Sequence, residues 1–162
     1  AESMDADLVM GIVGKHASTL DVEIINGSIT QVFDHCRMLV AASGTVTLEA
    51  ALYGIPTVII YKVSPLSYWI GKRLIKVKHI GIVNLIANKE LQPELIQDDA
   101  SPQLIADTVT AMLNDQERLG RMKKELVGIR DRLGGAGAGI DGAALSLLAA
   151  WFVADAALGR AL

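Results

Sequence analysis

A chain of 162 residues is long enough for one domain with a real core and too short for a two-domain enzyme. Half of the residues are hydrophobic, aromatics are few, and a net charge of −3 with no basic tail gives no footprint for nucleic acid. The single cysteine, Cys36, excludes a disulfide framework, is compatible with a reducing compartment, and reads as a small buried hydrophobe.

The first twenty residues carry no basic region followed by an apolar stretch and a small-residue cleavage site, so a secretory signal is not expected. Val22 to Ile25 is a β-branched run that ends at Asn26-Gly27 and predicts a strand. Ser28 then caps a helix with Ile29, Val32, Phe33 and Cys36 on one side. Met38 to Ala42 predicts a second strand, closed by Ser43 and Gly44, and a helix follows from Thr45 until Gly54 and Pro56 stop it. The run Pro56 to Tyr61, a helix after Pro65, and an apolar run from His79 to Val83 continue the alternation.

Strands alternating with helices at this spacing imply a parallel sheet covered on both faces, with right-handed crossovers. Ligands bind such α/β sheets beyond the carboxyl ends of the strands, where Ser43, Tyr61 and Asn84 would lie along one edge. Ser43-Gly44-Thr45 stands between a strand and a helix. Gly44 allows a close approach to the backbone, while two hydroxyls and the N–H groups of the first helical turn point where an anion such as a diphosphate would sit. The same residues could simply cap the helix with no ligand present.

After Gln97 the pattern becomes helical. Ser101-Pro102 opens a helix with Ile105, Val109, Met112 and Leu113 in one stripe, ending at Asn114. A second helix starts near Asp115, with Leu119, Met122, Leu126, Ile129 and Leu133 spaced three, four, three and four apart. That seam is short for a coiled coil and fits packing on the sheet or on a neighbouring helix, although a dimerising module is the competing use of it. The division expected is a domain over 1–135 and, over 136–162, a glycine-rich break with an apolar helix. The apolar stretch from Gly142 to Leu158 is interrupted by Ser146 and Asp155 and falls short of the roughly 20 residues needed to cross a bilayer. Gly137, Gly139 and Gly142 match G-x-G-x-x-G, but the match follows a helix instead of a strand and is discarded. His16, His35 and His79 are scattered, with no spacing that suggests a metal site, and no cofactor is implied.

The segments SGTVTLEAALYGIPTVIIYKVSP and WIGKRLIKVKHIGIVNLIANKELQPELIQ, with a looser match from Val22 to Gly135, resemble the lipid-A-disaccharide synthase family. The resemblance implies the C-terminal, donor-binding half of a two-domain glycosyltransferase of the B type, with a Rossmann-like sheet followed by C-terminal helices. It implies joining of UDP-2,3-diacylglucosamine to 2,3-diacylglucosamine 1-phosphate, releasing UDP and forming lipid A disaccharide, on the cytoplasmic side of a Gram-negative inner membrane. Carried onto this chain, it sets Ser43, Gly44 and Thr45 beside the donor phosphates and Glu49 one helical turn further in. It offers Asn84, Glu90, Glu94 and Gln97 for the ribose, the sugar or the gap between lobes. A carboxylate can accept from two neighbouring hydroxyls, which suits that role. Without the resemblance, Glu90 and Glu94 read as a pair four apart on a solvated helix face.

Arg73 has two readings, neutralisation of the leaving diphosphate or membership of a basic patch with Lys72, Lys76 and Lys78. Next to Tyr68 and Trp69, that patch suits an anionic membrane surface, with a merely solvated helix face as the competing reading. The partners implied are therefore the UDP-diacylglucosamine donor, a lipid acceptor, an inner-membrane surface and a second copy of the chain. Two departures count against a complete enzyme. The family's acceptor-binding half, with its catalytic base, has no counterpart here, and the Gly-Ser-Arg turn that opens its donor half is missing. The expectation is a partial donor lobe that is inactive alone; the competing readings are part of another UDP-sugar glycosyltransferase or an epimerase, and a non-catalytic dimerisation module.

Overall fold

The computed structural model of the chain describes residues 6–16, 19–25, 28–64 and 78–134. Contacts divide the chain into two compact units, Ala1–Cys36 and Arg37–Leu162. The first holds α1 (Ala6–His16) and the short α2 (Ile29–Phe33). Ser28 is extended at φ −71° and its hydroxyl accepts from the Thr30 N–H, the cap expected from its position. Of the apolar residues on α2, Phe33 is buried and Ile29 exposed, and Cys36, beyond the helix end, is half-buried, not buried.

The strand expected over Val22 to Ile25 does not form. Val22 and Ile25 are exposed, and no strand of the described residues pairs with this run. β-branched composition favours a pleated surface but cannot supply the ladder of a neighbour.

The second unit carries an open sheet. Its described strands are β1 (Leu39–Ala42), β2 (Thr57–Tyr61) and β3 (Glu94–Ile96), in the order β1-β2-β3 and parallel throughout. Leu39 to Ala42 pair with Thr57 to Ile60, and Ile59 to Tyr61 pair with Glu94 to Ile96. As the central strand, β2 is buried along nearly its whole length, which is why TVIIY reads as continuous instead of alternating. Between β1 and β2 runs α3 (Thr45–Leu52). Its end is set by Gly54, whose φ of +70° is the left-handed conformation in which glycine pays no steric penalty.

The second crossover contains α4 (Ile82–Ala87), where a strand was expected over His79 to Val83. The Ile80 and Gly81 N–H groups donate to the Glu94 carboxylate instead of to a strand, so the chain turns and α4 starts. Gly81 is needed for this approach: a Cβ there would stand 2.6 Å from Ile59 Cδ1 and 3.1 Å from Glu94 Oε1. Asn84 therefore lies inside a helix, not at a strand end.

Two helices close the described unit. In α5 (Pro102–Asn114) proline occupies the first turn and the Ser101 hydroxyl accepts from the Leu104 N–H. In α6 (Gln116–Gly134) the Asp115 carboxylate accepts from the Arg118 N–H, capping the start. The α6 stripe of Leu119, Met122, Leu126 and Ile129 is buried with Ala51, Val58, Val83, Ile86, Leu91, Leu95 and Met112 in one core, and α6 packs on α3, α4 and α5. Those seam residues are spent inside the unit. The glycine-rich break and the apolar tail lie outside the described residues apart from Gly134, which ends α6. No helix of the described residues is long and apolar enough to cross a membrane.

Candidate functional site

Parallel strands that end together place the turns after them at one edge. Ser43 is the first residue beyond β1, and its N–H donates to the Ile60 carbonyl at 2.9 Å, which fixes the turn to the end of β2. The residue is 8% exposed, and among the described residues its hydroxyl has no hydrogen-bond partner. Gly44 is the residue before α3, and no side chain caps the helix there. Ser43 is thus not a helix cap, the use that would have explained it without a ligand. Thr47, a full turn on and fully buried, donates its hydroxyl to the Gly44 carbonyl at 2.7 Å and braces the turn from within.

Gly44 has φ 165°, extended backbone that any residue adopts, and a Cβ added there would meet only the Ala42 carbonyl at 4.0 Å. Neither conformation nor packing demands glycine at this position, and the space in front of it is open. Thr45 and Glu49 are both exposed and lie four apart on α3, so they share one face leading away from the turn.

The other candidates fall into a second cluster. Asn84 is fully buried. Its Nδ2 donates to the Gln92 carbonyl at 2.7 Å and to Glu94 Oε1 at 2.6 Å, while its Oδ1 accepts from the Leu91 and Gln92 N–H groups, both at 2.8 Å. All four bonding positions of the amide are filled from within the chain. Glu94 opens β3 with its side chain 7% exposed. It accepts from Ile80 N–H at 2.8 Å, Gly81 N–H at 2.9 Å and Asn84, with His79 Nδ1 4.0 Å away. A buried carboxylate is tolerable only when donors surround it, as they do here. The solvated helix face suggested for Glu90 and Glu94 does not exist: Glu90 is exposed in the loop before β3, and Glu94 is in the strand.

Gln97 begins the turn after β3. Its Nε2 donates to the Val63 carbonyl at 3.0 Å and its Oε1 accepts from the Val63 N–H at 2.8 Å. The candidates thus form two sets, an open one of Ser43, Gly44, Thr45 and Glu49 and an internally bonded one of Asn84, Glu94 and Gln97. Arg73, Tyr68, Trp69, Lys72 and Lys76 lie outside the described residues, whereas Lys78 is described and exposed. Among the described residues, no group of three or more His, Cys, Asp or Glu side chains is placed to hold a metal ion.

Residues 3–138, which span both sets, match the model of the lipid-A-disaccharide synthetase family. The chain belongs to that family. It is 47% identical over 121 residues to the lipid-A-disaccharide synthase of Geobacter sulfurreducens, covering 75% of this chain and 32% of that protein. The protein of the same name from Nitrosococcus oceani is 50% identical over 115 residues, 71% of this chain and 30% of the relative. That of Geobacter metallireducens is 43% identical over 133 residues, 82% and 34% respectively. The chain spans about a third of the length of the curated relatives it matches.

Within this member of the lipid-A-disaccharide synthase family, three structural residues escaped the sequence reading. Thr47 gave a signal, as a hydroxyl three residues after a Gly at a helix start. Val63 and Gln92 gave none, because one acts only through its backbone and the other sits in a short polar loop.

Proposed function

We propose that this chain is the donor-binding part of an inverting glycosyltransferase that joins UDP-2,3-diacylglucosamine to 2,3-diacylglucosamine 1-phosphate, giving lipid A disaccharide and UDP. The observation that carries this reading is the Ser43 hydroxyl, buried and unpartnered among the described residues at the uncapped start of α3. A buried hydroxyl left unpaired costs about 1–3 kcal/mol, a cost that an incoming acceptor atom would remove. A helix start carries about half a positive charge, so the acceptor best suited is an anion. The diphosphate of the donor supplies it.

In this reading the Ser43 and Thr45 hydroxyls and the α3 N–H groups hold the diphosphate, and the open face of Gly44 lets it reach the backbone. Glu49, on the same helix face as Thr45, accepts from the ribose hydroxyls. The acceptor hydroxyl attacks the anomeric carbon from the face opposite the diphosphate. The carbon–oxygen bond to the diphosphate breaks, and negative charge grows where the α3 start can stabilise it. Arg73 is the candidate cation for the same charge. The proton of the attacking hydroxyl goes to a base in the upstream half, so this chain alone is inactive. Lys78, with Tyr68, Trp69, Lys72 and Lys76 of the same stretch of sequence, is the candidate for contact with an anionic inner membrane on its cytoplasmic side.

The test is calorimetric titration with UDP of the chain and of its Ser43→Ala variant. Loss of one hydrogen bond to a charged group predicts an affinity roughly tenfold or more lower in the variant. Equal affinities would remove Ser43 from the site. Joining the upstream half of a relative to the chain should restore UDP release.

A further inference from the structure

Gln97 has φ +55°, the left-handed region where a residue with a side chain is uncommon. Glycine would occupy it without strain, so the side chain is the reason to look for a role. Its amide pairs with both polar groups of one distant backbone residue, Val63. Three residues earlier, the Glu94 carboxylate takes the consecutive N–H groups of Ile80 and Gly81. One short stretch, β3 and the residue after it, therefore grips the backbone on both sides of the interval from 64 to 79. Val63 lies three residues beyond Ile60, whose carbonyl holds the Ser43 N–H.

We propose that Gln97 and Glu94 are positioning residues of the donor site, a two-point clamp that sets where the chain leaves β2, just beyond the Ile60 carbonyl that holds the Ser43 turn, and where it returns to α4. The inference rests on the donor-site reading and deepens it: neither side chain needs to touch the nucleotide. Gln97 acts through the backbone of residue 63 and Glu94 through that of residues 80 and 81. The alternative is that these groups give up their backbone bonds to contact the ribose or sugar directly, in which case UDP would speed exchange of the Val63 amide in the wild type.

The experiment compares wild type with Gln97→Gly, which keeps the left-handed backbone comfortable and removes only the amide, and with Gln97→Ala, which removes the amide and keeps the strain. Three quantities are read: hydrogen exchange of the Val63 amide without ligand, the UDP affinity by calorimetry, and the thermal midpoint. The expected result for Gln97→Gly is faster exchange at Val63, a UDP affinity about tenfold weaker, and a folded chain with a cooperative transition; the tenfold stands for the loss of the paired Val63 bonds as a positioning contact. Gln97→Ala should show the same two changes with a lower midpoint. Unchanged Val63 exchange in Gln97→Gly overturns the clamp, and faster exchange with unchanged affinity overturns its positioning role. Absence of UDP binding by the folded wild type would instead overturn the donor-site reading and the positioning role with it, while the exchange data still decide whether the clamp exists.

Discussion

Asn84 and Glu94 are joined by a 2.6 Å hydrogen bond from Nδ2 to Oε1, and the same Asn84 amide holds the main chain of Leu91 and Gln92. One side chain on α4 therefore shapes the loop before β3 and completes the donor set around a buried carboxylate. Asn84→Ala should strand two N–H groups and a carbonyl, at about 1–3 kcal/mol for each orphaned group, and leave Glu94 Oε1 with the Gly81 N–H as its remaining donor. The expected loss is about 3 kcal/mol or more, read as a lower urea midpoint. A drop in nucleotide binding in this variant would therefore need a stability measurement beside it before Asn84 could be called a ligand contact.

Gln92 is fully buried, and neither atom of its side-chain amide has a partner among the described residues. Its main-chain bonds to Asn84 do not depend on that amide. Replacement by leucine, of similar volume, should remove two desolvated polar atoms and stabilise the chain by about 1–2 kcal/mol. A thermal midpoint that falls in Gln92→Leu would show that the amide is satisfied in solution.

The helix-forming half of this fold was legible because its signals are local. Ser101-Pro102, the Leu119 to Ile129 seam and the Gly54-Pro56 stop each act within a few residues of the structure they specify. The same holds for the Ser43 turn, since a strand, a glycine and a helix follow one another directly. Strands were less legible. Val22 to Ile25 has strand composition and no paired strand among the described residues, while Glu94 to Ile96 is a strand because Ile59 to Tyr61 lie beside it. The roles of Glu94 and Gln97 were out of reach for the same reason. Beside the Asn84 amide that Glu94 also accepts from, their partners are main-chain groups 13 or more residues away in sequence, which no side-chain pattern encodes.

Leu126 and Val127 are adjacent on α6 and oppositely placed, Leu126 fully buried in the core and Val127 exposed. Leu126→Ala should leave a cavity among helices α3, α4 and α6 and cost about 2–5 kcal/mol. Val127→Ala should stay within about 0.5 kcal/mol of wild type. Urea denaturation of the two variants side by side measures the difference, and equal midpoints would mean that α6 does not pack by this stripe.

Ser43 is where stability and binding should separate. Its hydroxyl satisfies nothing in the described chain, and its N–H bond to Ile60 is retained by any side chain. Ser43→Ala should therefore leave the unfolding free energy unchanged or raise it by up to about 1 kcal/mol, because a desolvated hydroxyl is removed. Thr47 provides the contrast on the same turn, since its hydroxyl is fully buried and bonded to the Gly44 carbonyl. Thr47→Val should lose stability by about 1–2 kcal/mol, as that carbonyl loses a donor and the turn its internal brace. Thermal unfolding of both variants without ligand, set against their UDP affinities, discriminates a binding group from a structural one: Ser43→Ala should weaken binding at unchanged stability. If instead it unfolds at a lower temperature, the Ser43 hydroxyl serves the fold and the donor reading loses the observation on which it stands.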